Sequence, residues 1–317
     1  MTIDVFIVIV PGTMLLDLAG TVETFRLANQ LGASYGVQFV GPSARSASSI
    51  GLELCGIKPL PQRLPAGATV VVPGAADSAH AYETPEAAAT AAWMARTVTH
   101  SHRLCTVCSG VFLAARSGVL RGRTCTTHHM LTRRLAQEHP EITVLENRIF
   151  VQDGNVFTSA GATTGIDLAL HLVSQDSGPK VALDVARMLV IYFRRSGSDL
   201  QLSPWLLHRN HIHPALHRVQ DAVIRNPALG WTLSEMAREA CTSPRHLARL
   251  FQEHAGTSPL TYLRHIRTAA AKEIVDTSRC SMERVAEMVG FSSGEQLRRA
   301  WQRFEGSSPS ATRRQRG

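Results

Sequence analysis

The chain has 317 residues, 44% hydrophobic and 18% charged, a composition that builds a folded core and excludes a disordered chain. Its formal charge of +8 is uneven: residues 1–195 carry 16 basic and 14 acidic side chains, and residues 196–317 carry 17 and 11. A near-neutral larger part thus precedes a smaller basic part, and only the basic part is suited to a polyanion. No stretch approaches the roughly 20 apolar residues of a membrane helix. The apolar run from Ile3 to Val10 lacks the basic leader and cleavage site of a secretory signal. Six scattered cysteines (Cys55, Cys105, Cys108, Cys125, Cys241 and Cys280) do not form a disulfide framework. Together these features predict a cytoplasmic protein.

The first part reads as alternating strands and helices. Thr2 to Val10 is an apolar, β-branched run closed by Pro11-Gly12, as expected of a strand buried on both faces. Val22, Phe25, Leu27 and Ala28 follow Asp17 with helical spacing. Further strands are predicted over Tyr35–Val40, Thr69–Val72 and Leu104–Val107, and Thr84-Pro85-Glu86 opens an Ala-rich helix with an N-cap and a first-turn proline. This alternation predicts a parallel sheet covered by helices on both faces. Ligands of such sheets lie beyond the carboxyl ends of the strands.

Three strand ends carry candidate chemistry. His102 to Ala115 reads as a strand, a tight Cys108-Ser109-Gly110 turn and a helix, the layout of a nucleophile elbow, with partly positive N–H groups expected to favour a thiolate. After the strand ending at Val72, Pro73-Gly74-Ala75 allows backbone N–H groups to approach an anion or carbonyl. The third candidate is Asp17, just beyond the first strand. Cys105-x-x-Cys108 imitates a redox pair, but Cys105 falls inside the strand, and the remaining cysteines are expected to be packing residues.

At these residues the chain resembles the PfpI-like branch of the class I glutamine amidotransferase-like superfamily. The resemblance rests on Val72-Pro73-Gly74, on Cys108-Ser109-Gly110, on the stretch from Ala114 to Arg123 leading to Thr126-Thr127-His128, and on Thr158 to Gly161 followed by Gly165 to Ala169. It implies a flavodoxin-like α/β sheet sandwich in which Cys108 matches the elbow nucleophile, Asp17 the acid that contacts it, and His128 the usual histidine. Asp17, Gly74, Ala75, Cys108, Ser109 and His128 form the expected ligand-binding set. Protease-like and amidotransferase branches often place histidine directly after the cysteine. Here that residue is Ser109, which weighs against peptide or glutamine hydrolysis. Two readings stay open for Cys108: a pocket that senses a small molecule, or chemistry, either hydrolysis or hydration of a small substrate or oxidation as a signal. In the chemical reading Cys108, Asp17 and His128 are the catalytic candidates, with Gly74 and Ser109 N–H groups stabilising an anion.

The basic part contains an internal repeat. Ala237 matches Ala286 at an offset of 49, and after a turn Leu247, Arg249, Phe251, Gly256 and Pro259 match Leu297, Arg299, Trp301, Gly306 and Pro309 at 50. Each unit reads as helix, short turn, helix. Thr232-x-x-Glu235 is a capping box, and Ser243-Pro244, Ser258-Pro259 and Ser308-Pro309 are serine caps before a first-turn proline. The second helices bury Leu247, Leu250 and Phe251, and Leu297, Ala300, Trp301 and Phe304. They turn outward Arg245, Ala248, Arg249 and Gln252 in one unit, and Glu295, Arg298, Arg299 and Gln302 in the other. A connecting helix of about 17 residues spans roughly 25 Å, which suits two readers of major grooves ~34 Å apart.

With Gly290-Phe291-Ser292 and Gly306-x-Ser308-Pro309, this doubled motif resembles the AraC/XylS DNA-binding domain. The order of the two parts resembles the GlxA-type transcriptional regulators. That resemblance implies a sequence-specific, ligand-responsive DNA-binding regulator, often of nitrogen-containing metabolites. It also implies double-stranded DNA and a small effector as partners, RNA polymerase as a further one, and a homodimer. The expected domains are residues 1–195 for sensing, a linker over 196–213 and an all-α double helix-turn-helix domain over 214–317. His208, His211 and His213 in the linker, and His217 just after it, have no Cys, Asp or Glu between them to complete a metal set, so no metal or cofactor is expected.

Overall fold

The computed structural model describes residues 2–317 except 77–80, 192–194, 198–200, 202–204, 206–207, 210, 306–307 and 310–317; of residues 276 and 277 it describes the backbone only. The chain divides into two compact units, Met1–Gln201 and Leu202–Gly317. Much of the stretch expected to be the linker lies outside the described residues.

The first unit runs β1 (Ile3–Val8), α1 (Leu15–Gln30), β2 (Tyr35–Gly41), β3 (Arg45–Ala47), β4 (Glu53–Cys55), β5 (Lys58–Pro59), β6 (Thr69–Val72), α2 (Pro85–Thr97), β7 (Arg103–Val107), α3 (Gly110–Arg116), β8 (Thr124–Cys125), α4 (Thr132–Glu138), β9 (Thr143–Val144), β10 (Phe150–Asp153), β11 (Val156–Ser159), α5 (Thr164–Ser177) and α6 (Pro179–Met188). Among the described residues the main sheet has the order β10-β11-β7-β6-β1-β2-β5, and every pair is parallel except β10 with β11.

The continuous apolar runs follow from burial on both faces. Phe6, Val8 and Val10 join Val70, Val72, Met94 and Phe112 in one core, while Val5, Ile7 and Ile9 join Phe25, Val71, Cys105 and Leu168 in the other. Successive side chains of a strand point to opposite faces, so one run feeds both. The Thr84 side chain caps α2 by accepting from Ala87 N–H at 3.2 Å. This flavodoxin-like sandwich brings the ends of β6, β7 and β11 side by side.

The second unit is helical: α7 (Pro214–Arg225), α8 (Leu233–Glu239), α9 (Pro244–Leu250), a π-type turn over Phe251–Ala255, α10 (Pro259–Thr277), α11 (Met282–Val289) and α12 (Gly294–Glu305). The caps at Thr232, Ser243 and Ser258 are those the sequence specifies, and Ser281 and Ser293 add two more. Thr232 and Glu235 bond reciprocally at 3.2 and 2.6 Å, and Ser243, Ser258, Ser281 and Ser293 each accept the third backbone N–H of their helix. Ser308-Pro309 abuts residues outside the described ones, and Gly306 is one of those.

Two cores form around the repeats. Leu216, Met236, Leu247, Phe251 and Tyr262 close the first, and Val275, Val285, Val289, Leu297 and Trp301 the second. The helix α10 serves both, giving Leu263 and Ile266 to one and Ala271 and Val275 to the other. Its 19 residues span about 28 Å.

Candidate functional site

Cys108 closes β7 and precedes α3 with a φ of +54°. This left-handed backbone is uncommon for a side chain with a Cβ and is typical of a strained functional turn. The turn is tight because the neighbouring strand ends leave no space: a Cβ on Gly110 would fall 2.2 Å from the Val72 carbonyl. On the other flank, Cys108 N–H donates to Ser159 O at 3.0 Å, tying the elbow to the end of β11.

Asp17 lies in the first turn of α1 and is fully buried. Its Oδ2 accepts from Gly74 N–H at 3.1 Å and its Oδ1 from Ala162 N–H at 2.8 Å. Those bonds favour the carboxylate, but burial outweighs them and pushes Asp17 up to about 6. Ser109, also buried, is held by the turn after β6. Its Oγ accepts from Ala75 N–H at 3.0 Å and donates to Ala75 O at 3.1 Å, and it shares a hydrogen bond of 3.0 Å with Tyr82 Oη.

These contacts correct two expectations. Burial first, and the nearby Asp17 carboxylate second, push the Cys108 thiol up to about 12, so the helix end does not make a thiolate. Nor do the N–H groups form an open anion hole. Gly74 N–H is committed to Asp17 and Ala75 N–H to Ser109 and Tyr82, while the Ser109 N–H favours the Cys108 thiolate without offsetting burial. Of the residues expected to bind a ligand, Asp17, Gly74, Ala75 and Ser109 are buried among themselves, and Cys108 and His128 are partly exposed.

His128 stands beside the elbow without a bond to it among the described contacts. Its Nδ1 accepts from Met130 N–H at 3.4 Å, its ring lies 4.3 Å from that of His129, and burial and that neighbour lower its pKa. The preceding residue makes the connection: Thr127 Oγ1 donates to Cys108 O at 2.8 Å. Cys105 sits within β7 on the opposite core face, 1% exposed, with its thiol also pushed up to about 12 by burial.

Two residues outside the expected set hold the last described part of this unit against the elbow loops. Arg195 forks onto Asp167, with Nε and Nη2 at 2.9 and 2.6 Å from Oδ2, and donates to Thr163 Oγ1 at 2.7 Å. Gln201 Nε2 donates to Thr127 O at 2.8 Å. Thr163 neighbours the Asp17-bonded Ala162, and Thr127 is the residue bonded to Cys108. Tyr82, Gly161, Arg195 and Gln201 escape a reading by sequence because each meets the elbow or its loops from far along the chain: Tyr82 through Ser109, Gly161 against Cys108 itself, Arg195 through Thr163 and Gln201 through Thr127. Only Gly161 left a trace there, in the Thr158 to Gly161 stretch.

In the second unit Arg245, Arg249 and Gln252 are exposed and Ala248 is half-buried, while Glu295, Arg298, Arg299 and Gln302 are all exposed. Gln252 lies in the π-type turn that prolongs α9. Several of these charges are paired on the surface: Arg249 with Glu253 at 3.5 Å, Arg298 with Glu283 at 2.8 Å and Arg299 with Glu295 at 2.7 Å. Such exposed pairs are worth little and exchange readily for phosphate or base contacts. Cys55 and Cys241 are exposed and Cys280 is partly exposed, so of the four cysteines expected to pack only Cys125 is buried. Among the described residues no group of three or more His, Cys, Asp or Glu is arranged to hold a metal, and no helix is long and apolar enough to cross a membrane.

A cysteine elbow at the carboxyl edge of a parallel sheet, in one chain with two helix-turn-helix units, defines a two-part protein of pocket-type and nucleic-acid-binding folds. The DJ-1/PfpI family model matches residues 4–175, and a helix-turn-helix domain model matches residues 236–315. The chain belongs to the DJ-1/PfpI family and carries an AraC-type helix-turn-helix domain after it. It is similar to the HTH-type transcriptional regulator GlxA of Rhizobium meliloti (strain 1021), with 30% identity over 228 residues covering 67% of this chain and 65% of that one. It is also similar to the HTH-type transcriptional regulator GbdR of Pseudomonas aeruginosa, with 28% identity over 207 residues, 65% of this chain and 56% of the relative. The matched stretch therefore spans less than two thirds of either relative. A THiJ/PfpI family protein from Pseudomonas syringae shares the fold, with a TM-score of 0.52 at 23% identity, over 76% of this chain and 89% of that one.

Proposed function

We propose that the chain is a ligand-responsive, sequence-specific DNA-binding transcriptional regulator of the cytoplasm, active as a homodimer. In this reading α9 and α12 enter two successive major grooves, and a small nitrogen-containing metabolite is sensed at the Cys108 elbow. The observation that carries the DNA-binding half is the repeat of an exposed Arg/Gln face on both second helices of the basic unit. Resemblance to the GlxA-type regulators supports the metabolite class. The bonds from Arg195 and Gln201 to the elbow loops support coupling, since a ligand that shifts Thr163 or Thr127 also shifts the segment leading to the second unit.

The alternative, cysteine hydrolysis or hydration, is disfavoured by the raised thiol and by the committed N–H groups. The test is binding of duplexes enriched from a random pool by the full chain, compared with binding to random DNA. Arg249→Ala and Arg298→Ala are each expected to cost roughly 1–3 kcal/mol on the enriched duplex and to relax base preference at one position. Equal losses on random DNA would remove the base-reading role of these arginines.

A further inference from the structure

Beside α12 lies a cavity of about 350 Å³ that none of the reading-face residues except Arg299 helps to line. Its walls carry three guanidinium groups, Arg264 from α10 and Arg299 and Arg303 from α12, and no carboxylate lines it. Its floor is aromatic. Phe304 is stacked on His265 with ring centroids 4.6 Å apart and planes 14° apart, and Arg303 lies over its other neighbourhood with Cζ 5.7 Å from the centroid. Phe291 closes the inner side.

The charges there are unequal in their commitments. Arg299 is paired with Glu295 at 2.7 Å. Among the described contacts the Arg264 guanidinium has no partner and that of Arg303 has only the Phe304 ring. Two planar forks held over one opening, without an acid to neutralise them, match an oxyanion such as a phosphate.

The position identifies which phosphate. Around α12 the residues Glu295, Arg298 and Gln302 mark one direction; Gln296 and Arg303 lie more than a quarter-turn from it, and Arg299 somewhat less, at 3.6 residues per turn. A helix 10–12 Å across nearly fills a major groove about 12 Å wide. Side chains pointing to the groove floor meet bases, and those a quarter-turn away meet the sugar-phosphate wall. Arg299 stands at the boundary between the two sets. We propose that Arg264 and Arg303 form a clamp for a DNA backbone phosphate on the wall of the groove entered by α12, with Gln296 at its edge. This assignment rests on the DNA-binding reading above and adds to it a sequence-independent contact that involves the connecting helix.

The experiment measures binding of the full chain to a random duplex and to a duplex enriched by the wild-type chain, between about 50 and 200 mM salt. Arg264→Ala and Arg303→Ala should each lower the slope of log affinity against log salt by about 0.9 and weaken both duplexes by the same factor, about tenfold near 0.1 M. Base preference should not change. Arg264→Lys should retain most of the slope. Both positions are exposed, so an unchanged melting profile is expected and separates the effect from misfolding. Unchanged slopes in both alanine variants, or a change of base preference instead, overturn the clamp. Saturable binding of inorganic pyrophosphate that Arg264→Ala abolishes, with DNA slopes intact, would assign the cavity to a free anion and overturn it as well. If the wild-type chain binds neither duplex, the DNA-binding reading itself fails and the clamp falls with it.

Discussion

Cys108 and Gly161 approach so closely that a side chain at Gly161 has nowhere to go. A Cβ there would fall 2.4 Å from the Cys108 Cβ and 2.7 Å from its Sγ, and the Gly161 φ of +110° is already one that other residues avoid. The next residue, Ala162, gives its N–H to Asp17. Gly161→Ala must therefore either strain the elbow or withdraw the loop from Asp17. It is expected to destabilise the first unit by roughly 2–4 kcal/mol. A calorimetric transition for that unit indistinguishable from wild type would show that the loop is free to move away.

Asp17 makes the same unit sensitive to pH. Its folded pKa of about 6 lies above its ordinary value of 3.8, so the folded state holds the proton more tightly than the unfolded chain does. The sign follows: the stabilisation is complete below about 3.8 and is lost as pH rises through about 6. The loss amounts to roughly 2–3 kcal/mol for a shift of this size. Denaturant titrations of wild type and Asp17→Asn across this range should give a falling contribution only in the wild type. The variant should start lower, because an amide replaces one of the two acceptors used by Gly74 and Ala162. Parallel pH profiles for the two proteins would contradict the assignment.

Much of this site is legible in the sequence, and what is not has a physical cause. The strands β1, β6 and β7 and the elbow turn are visible because burial on both faces demands unbroken apolar runs, and the following Pro-Gly or Cys-Ser-Gly ends them. The edge strand β10 is not, since its four residues are only partly buried or exposed and carry no alternating pattern. The state of the thiol misleads for a different reason. A helix end contributes about 0.3–1 kcal/mol, less than one pKa unit, whereas burial of an ionisable group shifts it by up to 3–5 units. Sequence shows the helix end, and the family resemblance implies the Asp17 contact, but neither shows the burial that outweighs the helix end. In the second unit the repeat made most of the caps and both outward Arg/Gln faces legible, because those depend on neighbours within one or two turns. The π-type turn that carries Gln252 leaves no such local mark.

The raised Cys108 thiol predicts an order of reactivity. Cys55 and Cys241 are exposed, whereas Cys108 is largely covered and its ionisation opposed by burial and by Asp17. Brief alkylation with iodoacetamide near pH 7.5, followed by mass spectrometry, should label Cys55 and Cys241 first and leave Cys108 for denatured protein. Asp17→Asn removes the negative neighbour and should speed labelling of Cys108. If Cys108 is instead the first site modified in the native wild type, its chemical roles regain support over the sensor reading.

The internal repeat points to a stabilising change. Gly290 ends α11 in the left-handed conformation, with a φ of +87°. Cys241, its counterpart at an offset of 49, follows α8 with a φ of +53° and is exposed. One unit thus uses glycine where the other holds a residue with a Cβ in the same strained backbone. The side chain of Cys241 fills no core, so its removal forfeits little packing. Relief of the Cβ clash outweighs the extra freedom that glycine gives the unfolded chain, as is usual at a helix end of this kind. Cys241→Gly is expected to stabilise the helical unit by about 0.5–1 kcal/mol and to leave the first unit's transition in place. Cys241→Ala keeps the Cβ and serves as the control, since it should give no such gain. Equal stability of the glycine and alanine variants would mean that the left-handed backbone at this position carries no cost.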